Sequence, residues 1–487
     1  MQKQEKWMLI GALLMAFVGV EWLLFGGLGV SVVICATMYF IWRLLAIRLI
    51  GSKVNNRSYL WFIPIVLCTL CFVLFSNPVL KVLNILFLIG LIVVQDIQLF
   101  IRTDKEFFSI EGVIEVLNLG VHLPFDYMNM PKEWLKASAG DEKKEWFQAV
   151  GKVFLGLLIA VPFIGILIIL LASADAAFNG MLEFIFEHIN LRWTELIIKL
   201  PLMLFSFFFF ISYFYGLQHK KEKEGVMRKE ESSTKPCLDF IVVGTVATLF
   251  CLVYVVFCFS QLAYFISAFS GILPSDFTYA EYARRGFFET LPLTLFNLAM
   301  LSILSYMSKW VEGNKKRYVK GMMGFITGFT LFLVVCALSK MGMYMQEYGL
   351  TLKRVYVAWF LSFIIVITLL IFIKLWYKKI NLIKSIVIAF IVMYLGLNYL
   401  NVDYLVAKQN IYLYQSGKTE TLSFCFYLST SAMGPVIELI NESPEPNENA
   451  TNLMRDLKKQ MEHKTWESWN LADYKANKLF IEHEMIK

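Results

Sequence analysis

The sequence predicts an all-α, polytopic transmembrane helical bundle of about eleven spans, with the N-terminus inside and a small helical C-terminal domain outside. Three observations carry this. The chain is 58% hydrophobic with a mean hydropathy of +0.61, above the roughly 45–50% apolar content of soluble domains. Its apolar residues fall in runs of the length, about 20 residues, that a helix needs to cross hydrocarbon. The intervening loops alternate between rich and poor in Lys and Arg. One set of loops holds 28 of the 45 basic residues and the other only 8, which places the rich set, and the N-terminus, on the cytoplasmic side.

The runs are 7–25, 28–48, 59–76, 79–101, 152–173, 196–217, 239–270, 290–307, 321–339, 355–376 and 383–400. The first follows a short charged head, Lys3–Lys6, and reads as an uncleaved span because no small-x-small cleavage site follows it. Gly26, Gly27 and Gly29 separate the first two runs and suit a tight helical hairpin. The stretch 239–272 reads as one long helix, since splitting it would move five basic residues of 309–320 to the outer side. Four parts result: residues 1–101 with four spans, a cytoplasmic amphipathic loop at 102–151, a seven-span core at 152–400 and an extracytoplasmic C-terminal domain at 401–487. The tail is broken by a Pro- and Asn-rich stretch at 443–449, and its last part carries Trp466, Trp469, Leu471, Tyr474 and Leu479 on an amphipathic pattern.

The net charge of +7 is placed beside the spans, so it acts as a topology signal and nucleic acid is not expected as a partner. Six of the eight cysteines lie in apolar runs, and the other two, Cys237 and Cys425, fall on opposite sides of the membrane, so no disulfide, metal cluster or cofactor site is read. His122 and Asp126 form an HxxxD that a packed loop explains as well as catalysis does. No complete Walker A, HExxH, nucleophile-elbow or dinucleotide pattern is present. Of the ionisable residues in or beside spans, Asp96, Asp239 and Lys199 stand close enough to an end to reach the interface, and only Glu21 is deep.

The outer side is more unusual. Tyr279, Glu281, Arg284, Arg285 and Glu289 put two arginines where the charge rule disfavours them, and Glu281, Arg285 and Glu289 recur four apart on one helical face. This stretch resembles the marker of a bacterial multi-pass membrane protein family catalogued as a domain of unknown function. Three further stretches resemble that family: Ala172–Asp175 with Phe178; Lys340 and Met341 with Tyr344 and Tyr348–Thr351 through Arg354; and Asn401 and Asp403 with Ala407, Asn410 and Tyr414. The resemblance runs from about Phe154 into the tail, through Trp469, Asn470 and Leu471, and departs at Val402, where a proline is usual. It implies the fold, a bacterial cytoplasmic (inner) membrane location and no particular activity.

All four of these stretches fall at the outer ends of spans or in the adjoining outer loops and tail. Asp175, Glu281, Arg284, Arg285, Glu289, Lys340, Glu347, Arg354 and Asp403 are therefore expected to form one outer polar cluster that binds a partner or an anionic ligand. The expected function is non-enzymatic: a transport component, or an accessory or sensing subunit. Its partners would be the lipid bilayer together with a second membrane protein or an anionic lipid. The alternative is a membrane enzyme acting on lipid-linked or cell-envelope substrates at the outer leaflet, which would rely on Asp175, Glu281 and the arginine pair.

Overall fold

The computed structural model describes residues 3–50, 56–100, 107–128, 191–227, 239–260, 277–307, 313–377, 379–419, 427–442, 448–462 and 464–486, with Leu422 and scattered positions between 156 and 181. Among the described residues every regular element is helical. In chain order these are α1 (Lys3–Val18), a π-helical turn (Gly19–Phe25), α2 (Val30–Ile50), a 3₁₀ turn (Asn56–Trp61), α3 (Phe62–Leu74), α4 (Pro78–Phe100), α5 (Ile110–Asp126) and α6 (Leu191–Met227). They continue with α7 (Phe240–Ser260), α8 (Tyr279–Met307), α9 (Asn314–Tyr348), α10 (Leu352–Trp376), α11 (Leu382–Tyr399) and α12 (Val402–Gln415). After a 3₁₀ turn at Thr430–Ala432 come α13 (Met433–Glu442), α14 (Glu448–Glu462) and, after another at Trp466–Ser468, α15 (Leu471–Ile486).

Among the described residues eight helices are long and apolar enough to cross a membrane, beginning at Trp7, Pro78, Ile198, Phe240, Tyr279, Asn314, Leu352 and Leu382, and Val30–Leu45 and Ser58–Leu74 are shorter apolar helices. This is a multi-pass integral membrane protein. Only in lipid can such helices leave side chains as apolar as Leu86, Val256 and Phe259 more than 60% exposed. The run at 152–173 lies mostly outside the described residues, as do Cys237, Cys425, the charged stretch at 143–150 and residues 261–276, on which the length of the helix begun at Phe240 depends.

The chain forms two compact units, Met1–Leu74, Lys81–Lys229 and Lys464–Leu471 in the first, and Phe75–Leu80, Glu230–His463 and Ala472–Lys487 in the second. In the first, α1 packs on α2 and α6, and α5 packs on α6. Its core joins Tyr39, Trp42, Ile97, Phe100, Leu123 and Phe214. In the second, α9 is the central helix and packs against α7, α8 and α10. The tail helices pack an apolar core around Val406, Ala407, Met433, Val436, Leu453 and Phe480 that also takes in Leu80 and Leu397, with Val355, Tyr356 and Trp359 packed against it.

The glycines between α1 and α2 do more than turn the chain. Within the first unit, Thr465 donates its hydroxyl to the Gly26 carbonyl (2.7 Å) and Val30 N–H donates to the Trp469 carbonyl (3.0 Å). Trp466 stacks edge-on against Trp22, with ring centroids 5.2 Å apart. A Cβ at Gly26 would meet the Glu467 side chain at 2.7 Å, and one at Gly29 would fall inside the Ser468 backbone. Gly27, at φ +104°, needs glycine on conformational grounds as well. Gly29→Val is expected to expel residues 464–469 and destabilise the unit by about 1–3 kcal/mol. A maleimide-reactive cysteine placed by Ser468→Cys checks it, since labelling should rise sharply only in the Gly29→Val background.

Candidate functional site

The nine outer-cluster residues are placed in distinct settings. Asp175 is exposed and belongs to the first unit, whereas the other eight belong to the second. Glu281 is the capping residue of α8: the Thr278 hydroxyl accepts from Glu281 N–H (3.3 Å) while the Glu281 carboxylate accepts from Thr278 N–H (3.2 Å). This reciprocal pair satisfies two of the free donors at a helix start. It takes up the carboxylate expected to pair with Arg285, whose guanidinium instead lies over the Phe277 ring at 4.9 Å. Among the described residues neither Glu281 with Arg285 nor Arg285 with Glu289 closes into an ion pair. Arg284, Glu289 and Glu347 are exposed. Lys340 runs across Gly286, where a Cβ would meet its Cδ at 2.7 Å, and sets its ammonium over Tyr282 at 4.4 Å.

Arg354 closes the end of α9. Its guanidinium donates to the Tyr348 and Gly349 carbonyls (2.9 and 2.6 Å) and to the Tyr344 hydroxyl (3.1 Å), meeting the helix's last unpaired carbonyls. Gly349, at φ +73°, makes the turn, and Asn410 then clamps the next residue by bonding both Leu350 N–H (2.9 Å) and the Leu350 carbonyl (2.8 Å). Two of the stretches shared with the resembled family thus meet here.

Asp403 is not at a surface. It is 1% exposed, and its carboxylate accepts from Asn77 Nδ2 (2.6 Å) and Ser429 N–H (2.9 Å). Tyr356 completes the contact through Asn77 (3.2 Å). Beside it a hydroxyl chain runs from Ser431 N–H to Ser76 (3.1 Å), from Ser76 to Thr430 (2.7 Å) and from Thr430 to the Asp473 carboxylate. Burial raises the Asp403 carboxyl above its ordinary value, opposed by these hydrogen bonds.

A second polar centre lies among the spans of the first unit. Sequence position suggested that Asp96 reaches the interface; instead it is fully buried, 0% exposed, as is Arg43 at 1%. Arg43 Nη1 donates to Asp96 Oδ1 (2.7 Å) and to Gln95 Oε1 (3.0 Å), and Gln95 Nε2 donates to the Ser58 carbonyl (3.2 Å). The other carboxylate oxygen accepts the Tyr39 hydroxyl and lies 3.5 Å from that of Tyr213. The guanidinium is set 4.6 Å from the Phe40 ring and 5.3 Å from Phe62, an arrangement worth more than usual where water is absent. Tyr39 and Arg43 are four apart on α2 and so share one face; α4 supplies Gln95 and Asp96, and α6 supplies Tyr213. Arg43 Nε, Trp42 Nε1 and Ser212 Oγ are buried with no hydrogen-bond partner among the described residues.

The remaining candidates settle simply. Glu21, expected to be deep, pairs with Lys199 at 2.8 Å and is 35% exposed; Lys199 also pairs with Glu195 (3.2 Å). Asp239 is exposed at the start of α7. His122 and Asp126 are both exposed on α5. Among the described residues no cysteine is in a disulfide, and no group of three or more His, Cys, Asp or Glu could hold a metal.

With these contacts in view, comparison by sequence gives one decisive match: the profile described as Domain of unknown function (DUF4153) aligns with residues 62–439. The chain belongs to this family. The DUF4153 region starts earlier than the resemblance suggested, taking in α3 and α4, and stops before Trp469–Leu471. It contains eight of the spanning or shorter apolar helices from α3 onward, the Arg354–Asn410 clamp and Asp403. It contains Gln95 and Asp96 but not Tyr39 or Arg43, so the intramembrane ion pair joins a family residue to one outside the DUF4153 match. No curated protein and no solved structure matches the chain.

Proposed function

We propose that this DUF4153 protein is a non-enzymatic, charge-coupled transport component of the bacterial cytoplasmic membrane, oriented with its N-terminus inside. The carrying observation is the buried Arg43–Asp96 pair with two tyrosines directed at one carboxylate. A buried charge in a span costs enough that it persists where it serves ion or proton movement. The π-helical turn at Gly19–Phe25 adds a distorted segment to the first span, of a kind frequent at functional sites. Loop charge supports the orientation. Arg284, Arg285, Glu289 and Glu347, exposed near the ends of their helices, form the rim at which a second membrane protein or an anionic group would meet it. The enzyme alternative, which would rely on Asp175, Glu281 and the arginine pair, is less well supported, because the helix cap occupies the Glu281 carboxylate.

Proteoliposomes with an internal pH dye and an imposed membrane potential test the proposal. Asp96→Asn is expected to lower proton or ion flux at least about ten-fold while leaving insertion intact. Equal flux in the wild type, Asp96→Asn and empty vesicles would set transport aside in favour of the accessory role.

A further inference from the structure

Along the outer flank of the α1–α2 hairpin runs a groove of about 520 Å³, lined by apolar residues such as Trp7, Ile10, Leu14, Met38 and Ile41 and by a single charged one, Arg48. The helices are antiparallel, so Trp7 near the start of α1 and Arg48 near the end of α2 mark the same end, and Met15 and Met38 mark the other. From Arg48 to Met38 the groove covers ten helical residues, about 15 Å at 1.5 Å per residue. That is the hydrocarbon depth of one leaflet, about half of 30 Å. A tryptophan and an arginine at the mouth are the side chains that favour the headgroup level. Arg48 is exposed, and among the described residues no carboxylate pairs with it.

On the groove's lining, Gly11 lets the buried Trp42 indole close against α1, since a Cβ there would collide with it. The other flank of α1, against α6, carries a groove of about 650 Å³ whose lining has no charged residue. Shape and apolarity are common to both grooves, and the unpaired guanidinium at the leaflet boundary belongs to one.

We infer that the α1–α2 groove is a binding site for an anionic glycerophospholipid, one acyl chain lying between Trp7 and Met38 and the phosphate held by Arg48. This site is independent of the Arg43–Asp96 centre, and its test does not read transport.

Full-length protein in nanodiscs of equal phosphatidylglycerol and phosphatidylcholine, released gently and weighed by native mass spectrometry, decides it. The wild type is expected to retain one phosphatidylglycerol in preference to phosphatidylcholine. Arg48→Gln should lower that retention about five-fold, the effect of one basic residue beside an anionic surface, and Arg48→Lys should restore it. Ile41→Trp, filling the groove with Arg48 in place, should release both lipids, with thermal melts checking that each variant is folded. Equal retention of the two lipids by the wild type, or unchanged phosphatidylglycerol in folded Arg48→Gln, overturns the assignment.

Discussion

Arg43→Met is expected to be among the most damaging single substitutions in this protein, costing about 3–5 kcal/mol, because it leaves the Asp96 carboxylate buried without its cation. Asp96 would keep two tyrosyl hydroxyls, which are neutral and do not cancel a charge in hydrocarbon. Asp96→Leu alone should cost a similar amount by stranding the guanidinium. The double variant Arg43→Met with Asp96→Leu should recover most of the loss, since removing both partners of a buried pair is often close to neutral. Thermal melts in one detergent, arranged as a double-mutant cycle, give the coupling directly. If the double variant falls as far as the sum of the singles, the pair is not the organising contact of the unit. A stable double variant that has lost flux would separate the role of the pair in function from its role in folding.

Asp403→Ala should cost about 2–4 kcal/mol in the tail core, because Ser429 N–H and Asn77 Nδ2 both lose their acceptor in a dry setting. The wild type should also carry a pH dependence of definite sign. Burial raises the Asp403 carboxyl above its ordinary 3.8, so the folded tail holds a proton at pH values where the unfolded chain has released it. Stability from this group is therefore greatest in acid and declines as pH rises through the folded value. Asp403→Asn should flatten that decline, which melts across a pH series would register. A wild type whose tail gains stability on moving from mildly acid to neutral pH would contradict the assignment.

How much of this was legible depended on range along the chain. The spans were readable because lipid demands long apolar helices whatever packs beside them, and eight of the expected runs coincide with helices of sufficient length, two more with shorter apolar ones. The Thr278–Glu281 cap is also legible, as a T-x-x-E before an apolar run, and it competes with the i, i+4 spacing to Arg285 for the same carboxylate. The surroundings of Asp96 are hidden for a different reason. Its position near the end of α4 says how far it stands from the interface, but nothing about which helix it faces, and Arg43 is 53 residues away. The Asp403 contacts were equally hidden, since Asn77 lies 326 residues earlier. The glycines at 26–29 read as a turn; that their missing side chains make room for residues 465–469 is a property of the partner, unwritten at the glycines themselves.

That turn sets a schedule for biogenesis. The Thr465 hydroxyl meets a carbonyl made 439 residues earlier, and at roughly 5–20 residues per second synthesis takes about 20–90 s to reach it. Throughout that interval the nascent first hairpin is in the bilayer with its turn uncovered, and the Val30 N–H awaits an acceptor that has not yet been translated. The α1–α2 turn is thus completed only once residues 465–469 have been made, long after the glycines that receive them.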